Sequence, residues 1–332
     1  MHVLNMEVLL QLARQFDPTT ENIEFIRKSH NTTYKVLGTH EPFILRVTSE
    51  EHRTYKQIES ELDFQLYLYH NQAPVVPPLK TRDNKHIIEY IGEGKTYYIT
   101  AFSFAAGQNW DQRADNSEST WMGIGKAMGT IHSLSQQYEP ASSIQKRRNW
   151  YESQHLINAP DIFRKYDSKL SAAFLKDMEQ YRKIPVSSTN FGLTHGDFLL
   201  SNYMIDDRTN VTVFDFDECE YSWFAVDIAI CMHCYLIGAN PMELKFKTDV
   251  AESMLYHMLL GYTSVNDVSS VMLSELQSFF RIRDYIYLST ILAKGGELSG
   301  WDKQFVDSAA DRLLNSSTFL DFSYERSSLL LL

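Results

Sequence analysis

The stretch LTHGDFLLSNYMIDDRTNVTVFDFD, from Leu193 to Asp217, sets three polar residues at informative spacings. Asp197 and Asn202 form a D-x-x-x-x-N pattern, and Asp215 follows the apolar run Val211 to Phe214. Between them a polar patch, Asp206 to Asn210, separates two short apolar runs, Tyr203 to Ile205 and Val211 to Phe214. Such a pattern predicts a hairpin. A hairpin would return Asp215 to the end at which Asn202 stands.

Aspartate and asparagine are common in turns, so D-x-x-x-x-N alone says little. The conjunction says more: His195 and Gly196 precede the pattern, and Phe216 and Asp217 follow Asp215. Together they suit phosphoryl transfer from a magnesium nucleotide. A transferred γ-phosphoryl group is densely anionic, so catalysis consists mainly of positioning it and neutralising its charge. Magnesium takes hard oxygen ligands, which Asn202 and Asp215 would supply, with Asp217 assisting a second ion or the water shell. Asp197 would accept or orient the proton of the attacking hydroxyl, and His195 would support the loop by hydrogen bonding.

HGDFLLSN followed by VFDFDE resembles the signature of the aminoglycoside phosphotransferase and choline kinase-like superfamily, the small-molecule relatives of protein kinases. WMGIGKAMGTIHSL, Trp121 to Leu134, is similar to that family's G-x-x-x-G-x-x-H helix through Gly125, Gly129 and His132. FAVDI, Phe224 to Ile228, matches the place of an aspartate that ties down the catalytic loop, which nominates Asp227. RIRDYIYL, Arg281 to Leu288, resembles a late helix of the homoserine kinase-like and stress-response kinase-like branches.

The N-terminal third reads as a small mixed lobe. Thr32 to Leu37 and Phe43 to Thr48 are rich in β-branched and apolar residues around a turn, and predict a hairpin. Ser49 to Asn71 lacks Gly and Pro and carries Ile58, Leu62, Leu66 and Tyr69 at helical spacing. His86 to Tyr90 and Tyr97 to Phe102 would complete an antiparallel sheet. A polar connector, Ala105 to Asn116, then marks the lobe boundary.

The resemblance implies nucleotide-binding roles in this lobe. Arg46, in FILRVTS, stands where the kinase pattern has lysine, and Glu61 matches the helix acid that would hold it, with Glu59 as the fallback. Arginine forks to oxygens in a way lysine does not. The phosphate-covering turn SHNTTY, Ser29 to Tyr34, has no glycine; Asn31 and Tyr34 match the superfamily's own glycine-poor loop, and Ser29 or Thr32 would lend hydroxyls. Adenine would meet the connector from about Thr100 to Phe104, with Phe102 and Phe104 as walls.

Helical spacing recurs in Ser117 to Tyr138, Ile162 to Arg182, Ala225 to Leu236, Val250 to Tyr262 and Ser274 to Leu292. These segments would build a larger lobe and its acceptor pocket, with aromatics such as Trp150, Tyr151, Trp223, Tyr285 and Tyr287 either packing or touching a substrate. Cys231, His233 and Cys234 lie in an apolar run without the spacing of a zinc site. Three cysteines give no disulfide framework, which fits a reducing compartment. The formal charge of −11 and the lack of a basic run argue against nucleic acid. No run reaches membrane-spanning length, MHVLNMEVLLQLARQF reads as an amphipathic helix rather than an export signal, and the terminal Leu329 to Leu332 is too short to anchor.

The expectation is therefore an α+β, bilobal protein kinase-like fold: residues 1–104 a nucleotide-binding lobe with a small antiparallel sheet and one helix, residues 105–332 a mainly helical catalytic and acceptor lobe. The expected activity is ATP- and Mg2+-dependent phosphorylation of a small-molecule hydroxyl, cytoplasmic, on a cationic or zwitterionic acceptor such as an amino alcohol, homoserine or an aminoglycoside. A stress-response-type protein serine/threonine kinase and a weakly active pseudokinase are the alternatives. Oligomeric state and acceptor identity are not written in the sequence.

Overall fold

The computed structural model describes residues 4–92, 94–110, 117–238, 240–328 and 330 of the 332. Residues 111–116 of the expected connector lie outside the described residues, as do the first three residues and most of the terminal leucine run. The chain forms two compact units. One holds Met1–Gly107 with Tyr138–Arg147 and Thr212–Asp217; the other holds Gln108–Gln137, Arg148–Val211 and Glu218–Leu332.

The first unit comprises α1 (Met6–Ala13), β1 (Asn22–Lys28), β2 (Thr32–Leu37), β3 (Phe43–Ser49), α2 (Tyr55–His70), β4 (Ile87–Gly92) and β5 (Lys95–Ser103). Its antiparallel sheet runs β1-β2-β3-β5-β4. β2 alternates buried and half-buried residues, so Tyr34 and Val36 join Leu45, Val47, Ile99 and Ala101 beneath Leu9, Leu12 and Ala13 of α1. Each such aliphatic side chain contributes about 1.5–3 kcal/mol when fully buried. β1 was absent from the expectation. Its alternation is weak, because a register shift between Phe25 and Arg27 leaves Phe25 and Ile26 both 47% exposed.

α2 begins at Tyr55, not at Ser49. Ser49 still belongs to β3, and its carbonyl accepts from His52 and Arg53 in a turn. Thr54 then caps the helix in a reciprocal box with Gln57. Segment 212–217 joins this unit through main-chain bonds: Val213 N donates to Pro74 O, and Val76 N to Val213 O. Phe216 packs edge-on against Phe64 of α2, with ring centroids 5.9 Å apart.

The second unit is mainly helical: α3 (Glu118–Ser135), α4 (Gln154–Ile157), α5 (Ala159–Tyr166), α6 (Ser168–Tyr181), β6 (Phe191–Thr194), β7 (Tyr203–Ile205), β8 (Val211–Val213, which ends in the first unit), β9 (Glu220–Trp223), α7 (Ala225–Ile237), α8 (Thr248–Thr263), α9 (Ser270–Ser274), α10 (Leu276–Ala293), α11 (Gly300–Leu314) and α12 (Glu325–Ser328). β7 and β8 pair as the expected hairpin, whose turn is closed by Asp206 Oδ1 accepting from Arg208 N and Asn210 N. β6 pairs with β9.

α3 and α8 pack at backbone distance. A Cβ on Gly125 would fall 1.8 Å from Met258 O, and one on Gly261 would fall 1.9 Å from Met122 O. The single helix expected over Ile162 to Arg182 breaks at Asp167, whose extended backbone (φ −154°) starts α6 and whose side chain caps Lys169 N. His233 Nε2 meets Asp284 Oδ1 at 2.9 Å, and Cys231 Sγ lies 3.8 Å from Tyr203 Oη, so both residues of α7 belong to the interior. Among the described residues no helix is long and apolar enough to cross a membrane.

Candidate active site

In the second unit, β6 delivers the chain to His195 and Gly196. Gly196 adopts φ +77°, and a Cβ there would sit 2.3 Å from Glu218 O, so this turn requires glycine. Asp227, fully buried in the first turn of α7, straps the loop down. Its Oδ2 accepts from His195 N at 2.8 Å and pairs with His132 Nε2 at 3.0 Å, while Oδ1 accepts from Gly196 N at 2.9 Å. An acid at a helix N-terminus also faces the favourable end of the dipole.

Behind Asp227 the hydrogen bonds form a chain. Asn266 Nδ2 donates to Tyr262 Oη at 3.0 Å, and Tyr262 Oη lies 3.1 Å from His132 Nδ1. Burial holds the Tyr262 phenol above its ordinary range, so it keeps the proton it gives to Nδ1. Nε2 of His132 then carries the proton that Asp227 accepts. Phe224 stacks on the His132 ring at 4.6 Å and fixes its plane.

The loop presents Asp197, whose side chain is 29% exposed. His195 is enclosed, and its Nδ1 accepts from Asp197 N at 3.3 Å. Asn202 Nδ2 donates to Asp197 O at 2.9 Å and to Oδ2 at 3.1 Å. That commits the amide nitrogen of Asn202 inward and leaves its oxygen, which accepts from Ser201 Oγ at 3.4 Å, as the end suited to a hard cation. Arg283 of α10 places Nη2 3.5 Å from Asp197 Oδ1.

In the first unit, Arg46 grips Glu61 bidentately, Nη1–Oε1 2.7 Å and Nη2–Oε2 2.8 Å, with both side chains buried. Burial alone would lower the guanidinium pKa, but the charge and hydrogen bonds of Glu61 outweigh it and hold the pKa above the arginine range. Arg46 Nη1 also lies 3.8 Å from Asp215 Oδ1, and its guanidinium lies over the Phe102 ring at 4.9 Å.

Asp215 adopts φ +69°, a left-handed backbone costly for a non-glycine residue and often kept at functional sites. Its Oδ2 accepts from Arg27 Nη2 at 2.5 Å. Asp217 is buried in a denser set: His52 Nε2 at 2.7 Å, Arg53 Nε at 3.0 Å and Asn31 Nδ2 at 3.3 Å. Burial would raise its carboxyl, yet the His52 hydrogen bond and the Arg53 and Arg46 charges hold it well below the usual carboxylate range. Its oxygens are engaged by protein donors, which leaves Asp215 the more available acid of the two.

Asn31 links β3 to Asp217: its Oδ1 accepts from Thr48 Oγ1 at 2.8 Å while its Nδ2 donates to Asp217 Oδ2. Tyr34 is fully buried in the sheet core, edge-on to Phe25. β5 ends at Ser103, so Thr100 and Phe102 lie on the expected strand, short of the polar connector that begins at Ala105. Thr100 stands opposite both Arg46 and Ile87, which commits it to the sheet interior. Arg27, His52, Arg53 and Arg283 were absent from the sequence expectation. The pair His52-Arg53 directly before the helix cap was the one local signal available.

The family model of the phosphotransferase enzyme family matches residues 22–245, well over half of the chain. Amicoumacin kinase of Bacillus subtilis (strain 168) is 26% identical over 283 residues, covering 83% of this chain and 82% of that protein. Among solved structures, amicoumacin kinase hAmiN in complex with AMP-PNP, Ca2+ and Ami superposes with a TM-score of 0.87 at 19% identity, covering 98% and 97% of the two chains. The microcompartment-associated aminopropanol kinase follows the same fold with a TM-score of 0.75 at 19% identity, covering 94% and 98%. With the strapped HGD loop and the Arg46–Glu61 pair in place, the chain belongs to the phosphotransferase enzyme family.

Proposed function

We propose that this protein transfers the γ-phosphoryl group of ATP to a hydroxyl of a small molecule in the cytoplasm, using magnesium. The observation that carries the reading is the loop fastened by Asp227, which holds Asp197 partly exposed with Asn202 bonded to it. In the reaction the acceptor oxygen bonds to the γ-phosphorus, the bridging β–γ P–O bond breaks, ADP leaves, and the acceptor's proton passes to Asp197.

Asn202 and Asp215 offer oxygens for the metal, and Asp217 fixes the donors around it rather than ligating. Bound magnesium would neutralise phosphate charge and orient the phosphates. Arg46, set by Glu61, would reach the nucleotide phosphates, and Asn31 would hold the turn that covers them. Tyr34, Thr100 and Phe102 would act by shaping the sheet behind the nucleotide. The relatives named for amicoumacin and aminopropanol favour a small acceptor.

ATP consumption measured against amicoumacin, aminopropanol, ethanolamine, homoserine, aminoglycosides and a generic protein substrate tests this. Turnover is expected with a small alcohol and not with the protein. Asp197→Asn should abolish it while retaining a magnesium-dependent thermal shift with ATP; wild-type turnover in that variant refutes the role of Asp197.

A further inference from the structure

The second unit contains a small cavity beside the HGD loop, lined among others by Trp150, Gly196, Glu220, Ser222, Phe279 and Arg283. Gly196 immediately precedes Asp197, and Arg283 of the lining reaches Asp197, so the cavity adjoins the loop that carries the base. Its walls are largely apolar, and two charged groups interrupt them. Glu220 is already matched, because Arg148 Nε donates to its Oε2 at 2.8 Å.

Arg283 is not matched in the same way. It is only 7% exposed, its Nε–H has no hydrogen-bond partner, and its approach to Asp197 Oδ1, 3.5 Å, is longer than the 2.7–2.9 Å of a charge-assisted hydrogen bond. The guanidinium lies 4.6 Å from the Tyr287 ring centroid, which fixes its plane. A buried donor left unpaired costs about 1–3 kcal/mol, so each such group in a native protein calls for a partner or a role.

We infer that Arg283 is the specificity residue of the acceptor site, binding a second oxygen of the acceptor, a carbonyl or carboxylate, next to the hydroxyl that is phosphorylated. This rests on the phosphotransferase reading above. One guanidinium that neighbours Asp197 through Nη2 and serves the ligand through its other N–H groups keeps the two ligand oxygens within a few ångströms. The acceptor is therefore a hydroxy amide or hydroxy acid whose carbonyl stands two or three carbons from the reacting hydroxyl, with an apolar portion against Trp150 and Phe279. A plain amino alcohol satisfies the base and leaves the Arg283 Nε–H without a partner.

Two matched pairs of acceptors test the assignment: serinamide against ethanolamine, and homoserine against 3-aminopropan-1-ol, each pair differing by the carbonyl-bearing group. The wild-type kcat/KM should favour the carbonyl-bearing member at least tenfold, mostly through KM. Arg283→Met should bring each ratio within threefold, and Arg283→Lys, which keeps the charge and loses the fork, should fall between. Calorimetric binding of homoserine and serinamide in the presence of AMP-PNP and magnesium gives the same comparison without turnover, and melting curves establish that each variant folds. A wild-type preference for the carbonyl-free members, an unchanged ratio or unchanged binding in Arg283→Met, or no binding of either carbonyl-bearing acceptor overturns the inference. Absence of phosphoryl transfer to any alcohol, with carbonyl-dependent binding intact, would instead remove the phosphotransferase reading and leave Arg283 as a ligand-binding residue.

Discussion

Replacing Asp227 by asparagine keeps the side-chain shape and removes the charge that receives three N–H donors, from His195, Gly196 and His132. An amide has one oxygen. Its best placement serves His195 N and His132 Nε2 from the Oδ2 position and turns the NH2 toward Gly196 N. That orphans one part-buried donor, at about 1–3 kcal/mol, and converts two charge-assisted bonds of about 1.5–3 kcal/mol each into neutral ones of about 0.5–1.5. Relief from burying a neutral amide in place of a carboxylate offsets part of this, leaving a net loss of about 2–4 kcal/mol. The loop would also loosen at Gly196, next to Asp197, and a displacement near 1 Å costs on the order of 100-fold in rate. Urea unfolding followed by circular dichroism, with steady-state ATP consumption on the best acceptor, reads both effects. If the variant remains within about 0.5 kcal/mol of wild type, the size of a neutral surface change, and its kcat is unaltered, the strap is not what holds the loop.

Three further outcomes follow from the packing and charge. Gly125→Ala and Gly261→Ala should each destabilise by about 1–3 kcal/mol or more because the added methyl meets a facing carbonyl, although alanine is the better helix former by about 1 kcal/mol; a raised melting temperature contradicts the close approach of α3 and α8. Arg46→Met strands buried Glu61 and should cost about 3–5 kcal/mol, whereas Arg46→Met with Glu61→Leu should recover most of it; additive losses in the double-mutant cycle would show that the two residues are not coupled. Asp284 is buried, which alone would raise its carboxyl, but Arg312 and His233 hold it below the usual range. A carboxyl lowered on folding stabilises above its unfolded pKa, about 3.9, and that contribution is lost as pH falls through the folded value. Asp284→Asn should therefore flatten the fall of unfolding free energy below about pH 4, measured by urea titration between pH 3 and 6; an unchanged slope rejects it.

Much of the site could be read locally. The D-x-x-x-x-N pattern, the hairpin runs and the glycine spacing of α3 each reflect short-range rules of turn chemistry and periodicity, and Arg46 and Glu61 do meet. β1 escaped because a bulge leaves neighbouring apolar residues Phe25 and Ile26 both half exposed, which erases the period-two signal. The break at Asp167 escaped because helical spacing continues in α5 and α6 on both sides of a single extended residue. α11 was passed over although Phe305, Val306, Ala309 and Leu313 recur at helical spacing.

By itself the sequence determined the chemistry on offer: an aspartate for a proton, an asparagine and an aspartate with hard oxygens, and the helices and strands that carry them. Only the tertiary structure decided how those charges are matched. His52 and Asp217 are 165 residues apart, and Arg27 and Asp215 are 188 apart. Local pattern fixes where a side chain sits along its own element, but the partner of a buried charge is chosen by which distant element packs against it, and that choice separates a neutralised Asp217 from a more available Asp215.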